Sequence, residues 1–135
     1  MIARYSFPQM TALWADQNKV DTWLKVEIAV AEAWAEAGIV PTEALPAIRG
    51  GSVNLARMQE IERETDHDVI AFLRAVGETV GEASRYIHLG LTSSDVVDTG
   101  LSLQATQAAD LLLEDVDELM TVLSEQALRY KDVIT

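Results

Sequence analysis

Acid–base chemistry near neutrality has two candidates in this sequence, His67 and His88, its only histidines. Imidazole is the one side chain whose ordinary pKa falls between pH 5 and 8. A histidine in a loop or a first helical turn is also a common surface or packing residue, so both readings stand for each. His67-Asp68 precedes Val69, Ile70, Phe72, Leu73 and Val76 at helical spacing, and Thr65-Asp66 reads as the start of that helix. His67 and Asp68 are then expected in its first turn, where the helix dipole favours an anionic ligand over an imidazolium. Neighbours on a helix diverge by about 100°, and no HExxH spacing occurs, so no metal site is expected.

A second constellation is His88-Leu89-Gly90-Leu91-Thr92-Ser93-Ser94-Asp95. Thr92 and Asp95 have the spacing of a capping box, and Thr92 or Ser94 could cap the helix that follows. Three consecutive hydroxyl residues exceed what one cap needs. With Gly90 permitting close backbone approach, the same turn offers hydroxyls and unpaired N–H groups to a carboxylate or phosphate. No G-x-S-x-G elbow surrounds these serines, and no glycine loop of the GxGxxG or GxxxxGK type is present. Arg4-Tyr5-Ser6, ahead of Pro8, adds a terminal arginine with a weak case for phosphate.

Helices must position these groups, because apolar residues recur every three or four positions and alternating β-branched runs are lacking. The expected class is all-α. Pro8 suits a first helical turn, with Gln9 to Trp14 a short helix. A longer helix from about Lys19 carries Val20, Trp23, Leu24, Ala31, Trp34 and Ala35, and Gly38 offers a left-handed stop. Glu27 falls on that apolar stripe and is expected to pair with a buried basic group. Pro41 to Ile48 reads as a short segment interrupted by Pro46 and closed by Gly50-Gly51, and Asn54 as the cap of the next helix. Ser84 to His88 reads as a connector. From Ser94 to about Tyr130 there is no proline, and Val97, Leu101, Ala105, Ala108, Leu112, Val116, Leu119, Leu123, Ala127 and Tyr130 trace one stripe. A helix that long needs packing partners that the rest of the chain does not provide, which predicts a bundle. Gly100 within it predicts close approach of a neighbour. The expected organisation is a helical domain over 1–90 and, over 91–135, a binding turn and the first long helix of an incomplete bundle.

The 22 acidic against 10 basic residues give a formal charge of −12, which repels a phosphate backbone and argues against nucleic acid as a partner. Zero cysteines exclude disulfides, thiolate metal sites and cysteine nucleophiles. No apolar run reaches the ~20 residues needed to span a bilayer, and Met1 to Arg4 leads into no signal-like block, so a cytoplasmic protein without membrane contact is expected.

Arg4-Tyr5-Ser6, the stretch WLKVEIA from Trp23 to Ala29, HDVIAF from His67 to Phe72 and HLGLTSSDVVDT from His88 to Thr99 together resemble the adenylosuccinate lyases of the fumarase/aspartase superfamily, in order and over the full length. TSSDVVDT is the most specific piece, since the related carboxymuconate cycloisomerases typically carry glutamine at the position of Ser94. The resemblance implies a homotetrameric, cofactor-free carbon–nitrogen lyase of purine nucleotide (AMP) biosynthesis. It would eliminate fumarate from adenylosuccinate and from the succinylated imidazole carboxamide ribotide. It implies that Thr92 and Ser93 bind the succinyl part, and that His67 assists catalysis beside the scissile C–N bond with Asp66 and Asp68 near it. His88 would face the phosphate or sugar, and Arg4 and Tyr5 would hold the nucleotide. The family's principal acid and base lie on motifs beyond residue 135, so this chain is expected to be an amino-terminal portion, inactive alone. The rivals are another superfamily lyase and a non-catalytic helical oligomerisation module.

Overall fold

A computed structural model describes residues 2–134, and among them there are helices and no strands. After a 3-10 turn at Ala3–Tyr5, the α-helices are α1 (Pro8–Leu13), α2 (Asp16–Glu36), α3 (Leu45–Arg49), α4 (Leu55–Thr65), α5 (Asp68–Val80) and α6 (Ser93–Arg129). Further 3-10 turns occupy Thr42–Ala44 and Gly81–Tyr86. Pro8 sits in the first turn of α1, and Gly38 adopts φ +77 just past α2, as their chemistry predicts. Pro46 does not interrupt its segment. It lies in the first turn of α3, where a missing N–H costs nothing.

The core gathers where α2, α4, α5 and the base of α6 meet. Trp23 of α2 meets Phe72 of α5 edge-to-face, with centroids 5.5 Å apart at 89°, a favourable quadrupole geometry. Val20, Ile48, Val69, Val76 and Val96 complete a centre closed to solvent. On the surface, Arg57 of α4 grips Glu78 of α5 through Nε and Nη2, the latter at 2.8 Å.

α6 runs antiparallel to α2, with Gly100 against Trp23 and Gln104 donating to the Leu13 carbonyl at 2.9 Å. Its buried face is Val96, Gly100, Gln104 and Ala108, four residues apart each time. That is not the stripe read from the sequence, with which it shares only Ala108. Leu101, Leu112, Val116, Leu119 and Leu123 are all at least half exposed. Gly100 lets α6 lie close on α2 at Trp23, and these leucines and Val116 stay on the exposed side. No helix among the described residues is long and apolar enough to cross a membrane.

Candidate functional site

His67 caps α5 rather than lying in its first turn. α4 runs through Thr65 and is stopped by Asp66 in the left-handed conformation at φ 50, so α5 cannot begin before Asp68. His67 is extended, and its Nδ1 accepts the N–H of Ile70 at 3.4 Å, which requires a lone pair there and leaves Nε2 carrying the proton in the neutral ring. Because His67 is not helical, the 100° divergence from Asp68 does not apply. Asp68 Oδ1 lies 3.5 Å from His67 Nδ1 while accepting the N–H of Val69 at 2.7 Å. Both side chains are about half exposed. The arrangement turns the Nε2 edge of the imidazole to solvent at a helix start.

His88 is built in a different way. It takes φ +64, a strained value for a residue with a side chain, and its neighbours hold it there. Both oxygens of Glu27 are on it: Oε2 accepts its backbone N–H at 2.7 Å and Oε1 lies 2.6 Å from Nδ1. Glu27 is completely buried, whereas the His88 side chain keeps 21% of its surface. About two turns further along α2, Trp34 Nε1 donates to the Leu89 carbonyl at 2.8 Å, and a Cβ on Gly90 would stand 3.4 Å from the Trp34 ring. Thus α2 fixes the loop that carries the imidazole. The basic partner expected for Glu27 is His88, which is partly exposed rather than buried.

The turn from Thr92 opens α6. Asp95 Oδ2 accepts the Thr92 N–H at 2.7 Å and its hydroxyl at 2.9 Å. These bonds hold the Asp95 carboxyl below the ordinary carboxylate range, the backbone donor contributing most. Both Thr92 donors are therefore committed within the chain. Among the described residues nothing accepts the N–H or hydroxyl of Ser93 or Ser94. Those are the donors an incoming anion would meet, at the positive end of a 37-residue helix. Asp95 opposes a second negative charge there, so a bound anion needs further cationic help.

Arg4 stacks over the Tyr5 ring at 4.9 Å. Tyr5, Phe7 and Met10 border a groove of about 440 Å³ whose far wall is α6 at Leu111, Glu114, Asp115 and Glu118. Leu111 is 18 residues beyond Ser93, or roughly 27 Å at about 1.5 Å per residue. The chain does not bring its terminal arm to its own Thr92 turn, and the arm faces carboxylates. No hydrogen bond or ion pair among the described residues joins His67 to His88 or to Ser93. There is no cluster of three metal-capable side chains among them.

The sequence profile of the lyase family matches residues 3–135. The chain belongs to the lyase family. This lyase-family chain is 48% identical over 132 residues to the adenylosuccinate lyase of Bacillus subtilis strain 168, and equally to that of Staphylococcus saprophyticus. Each match covers 97% of this chain and 31% of the relative, so the chain spans about a third of the curated relatives' length. Among solved structures, the 3-carboxy-cis,cis-muconate lactonizing enzyme from Pseudomonas putida superposes with a TM-score of 0.85 at 34% identity, covering 94% of this chain and 31% of that one. The fumarate lyase from Mesorhizobium sp. BNC1 shares the fold, with a TM-score of 0.80 at 24% identity over 90% of this chain and 30% of that one. The all-α class read from the periodicity holds. Sequence reasoning flagged Glu27 as a misfit on an apolar stripe, but nothing local could name a partner 61 residues away.

Proposed function

We propose that this chain is the amino-terminal portion of an adenylosuccinate lyase, holding the substrate-binding turn and one assisting histidine. The observation that carries this is the 48% identity to adenylosuccinate lyases over 97% of the chain. The reaction is a β-elimination from a succinylated purine nucleotide: a base removes a proton from the succinyl group, an acid protonates the departing nitrogen, and fumarate leaves. Negative charge grows on a carboxylate already charged, so donors aimed at it are the main catalytic need. Ser93 and Ser94 supply them through free N–H groups and hydroxyls, and Thr92 joins when its hydroxyl exchanges Asp95 for substrate.

His67 presents its Nε2 donor beside the scissile C–N bond, with Asp66 and Asp68 shaping that corner. His88 meets the phosphate or sugar. Arg4 and Tyr5 hold the nucleotide from an arm roughly 27 Å along α6 from Ser93 at 1.5 Å per residue, which suits a homotetramer whose sites draw on several copies. Residues 91–135 then open the central bundle, and the exposed leucines of α6 face other copies. The enzyme works in the cytoplasm and needs no cofactor.

Loss of fumarate from adenylosuccinate, followed by absorbance with the whole enzyme, tests the assignment. Argininosuccinate and 3-carboxy-cis,cis-muconate serve as competitors. Preferential turnover of either competitor would replace the purine assignment with another lyase of the superfamily.

A further inference from the structure

Glu27 is the one buried carboxylate among the described residues, and the elimination described above does not use it. We propose that Glu27 is a positioning residue that keeps a proton on Nδ1 of His88, so that every exchange between this ring and a ligand passes through Nε2. The proposal rests on the reading of His88 as a ligand-facing residue.

The geometry carries it. The backbone N–H of His88 is a donor that cannot reverse, and it fixes Glu27 Oε2 as an acceptor at 2.7 Å. Oε1 then faces Nδ1 at 2.6 Å, and a contact so short between two lone pairs would be repulsive, so a proton must lie between them. When carboxyl and ring share one proton, it occupies this bridge and Nε2 is bare. When they share two, the second is on Nε2, whichever heavy atom formally holds the first. Nε2 is thus the only position where a proton comes and goes. Bare, it accepts from a sugar hydroxyl; protonated, it donates to a phosphate oxygen. The loop does not depend on this pair alone, because Trp34 independently holds the Leu89 carbonyl.

Glu27→Gln makes the inference sharp. The amide must turn its oxygen toward the backbone N–H of His88, since its NH2 there would oppose two donors. Its NH2 then faces Nδ1 and demands a lone pair, which drives the proton of the neutral ring to Nε2. The substitution is nearly isosteric and is expected to invert the tautomer, leaving neutral His88 unable to accept through Nε2.

The test is long-range ¹H–¹⁵N correlation of the chain labelled at histidine, at a pH where the rings are neutral. With only two histidines, loss of one signal set in His67→Gln assigns the other to His88. The expected bare nitrogen is Nε2 in the native chain and Nδ1 in Glu27→Gln. A native spectrum with bare Nδ1 overturns the proposal, as does a folded Glu27→Gln chain that keeps its proton on Nδ1. If the variant does not fold, the native spectrum decides by the same criterion. No substrate is present, so a failure of the purine assignment leaves this result untouched, and the reverse also holds.

Discussion

The Trp23 indole occupies the space that a side chain on Gly100 would need: a Cβ there would stand 2.7 Å from Cδ1 and 3.2 Å from Nε1. Trp23 is 2% exposed and locked edge-to-face on Phe72, so it has little freedom to retreat. Gly100→Ala gains up to ~1 kcal/mol of helix propensity, whereas forcing apart a packed contact costs about 1–3 kcal/mol. Net destabilisation is expected, read as a lower denaturation midpoint by tryptophan fluorescence. A raised midpoint would mean that α2 and α6 do not approach so closely.

The Thr92–Asp95 cap predicts a local effect. Thr92→Ala removes a hydroxyl that donates to Asp95 and is expected to lower stability by ~0.5–2 kcal/mol, the usual range for losing a helix cap. Amide exchange should quicken at Val96 and Val97 more than at Ala108, because fraying begins at the end that lost its cap. Uniform acceleration along α6 would show that the residue acts on global stability instead.

Acid should weaken the same cap. Asp95 is held below the ordinary carboxylate range by the Thr92 N–H and hydroxyl, and Glu78 by the Arg57 guanidinium. A depressed folded pKa means stability that is present above the unfolded value and lost as pH falls through the folded one. The thermal midpoint is expected to fall below roughly pH 4, and Asp95→Asn should make that decline shallower. Both carboxylates are exposed, so solvent screening keeps the effect modest. An unchanged pH profile in Asp95→Asn would remove the cap from the account.

The distal half of α6 leads to a prediction about association. Leu112, Val116, Leu119 and Leu123 are each more than half exposed, and a continuous apolar stripe of this kind marks an interaction surface. The chain by itself is expected to self-associate and to bind a hydrophobic dye, and Leu119→Glu with Leu123→Glu should reduce both. A native chain that sediments as a compact monomer without dye binding would contradict this.

That stripe also shows where sequence reading reaches its limit. Periodicity located α2, α5 and α6 to within a few residues, because burial of one helical face leaves its mark on every turn. It marked the exposed face of α6, for which the described residues offer no partner, and gave no sign of the second face that packs inside the chain. Leucines advertise a face for partners elsewhere, whereas the face used on α2 is Val96, Gly100, Gln104 and Ala108, with a glycine and a glutamine that no hydropathy pattern highlights. The boundary before His67 slipped for a related reason: Asp66 supplies a left-handed stop that sequences usually signal with glycine. The pairing of Glu27 with His88 depends on tertiary closure. A carboxylate on an apolar stripe shows that a partner is needed, and only the fold says which one.

Those boundaries bear directly on His67, since a cap and a chemical group require different controls. As the N-cap of α5 it accepts the Ile70 N–H through Nδ1, and asparagine is among the residues best suited to that duty. His67→Asn should therefore preserve the denaturation midpoint while removing the imidazole. In the whole enzyme, if the ring assists protonation of the leaving nitrogen, kcat should fall by ~10² or more with a smaller change in KM, the usual scale of acid–base assistance. Ser93→Ala gives the contrast. A hydroxyl that binds the succinyl carboxylate equally before and at the transition state should mainly raise KM, by an amount equivalent to ~1.5–3 kcal/mol for a hydrogen bond to charge. A folded His67→Asn enzyme with near-normal kcat would return His67 to the role of a helix cap, because the substitution spares the cap and removes only the ring.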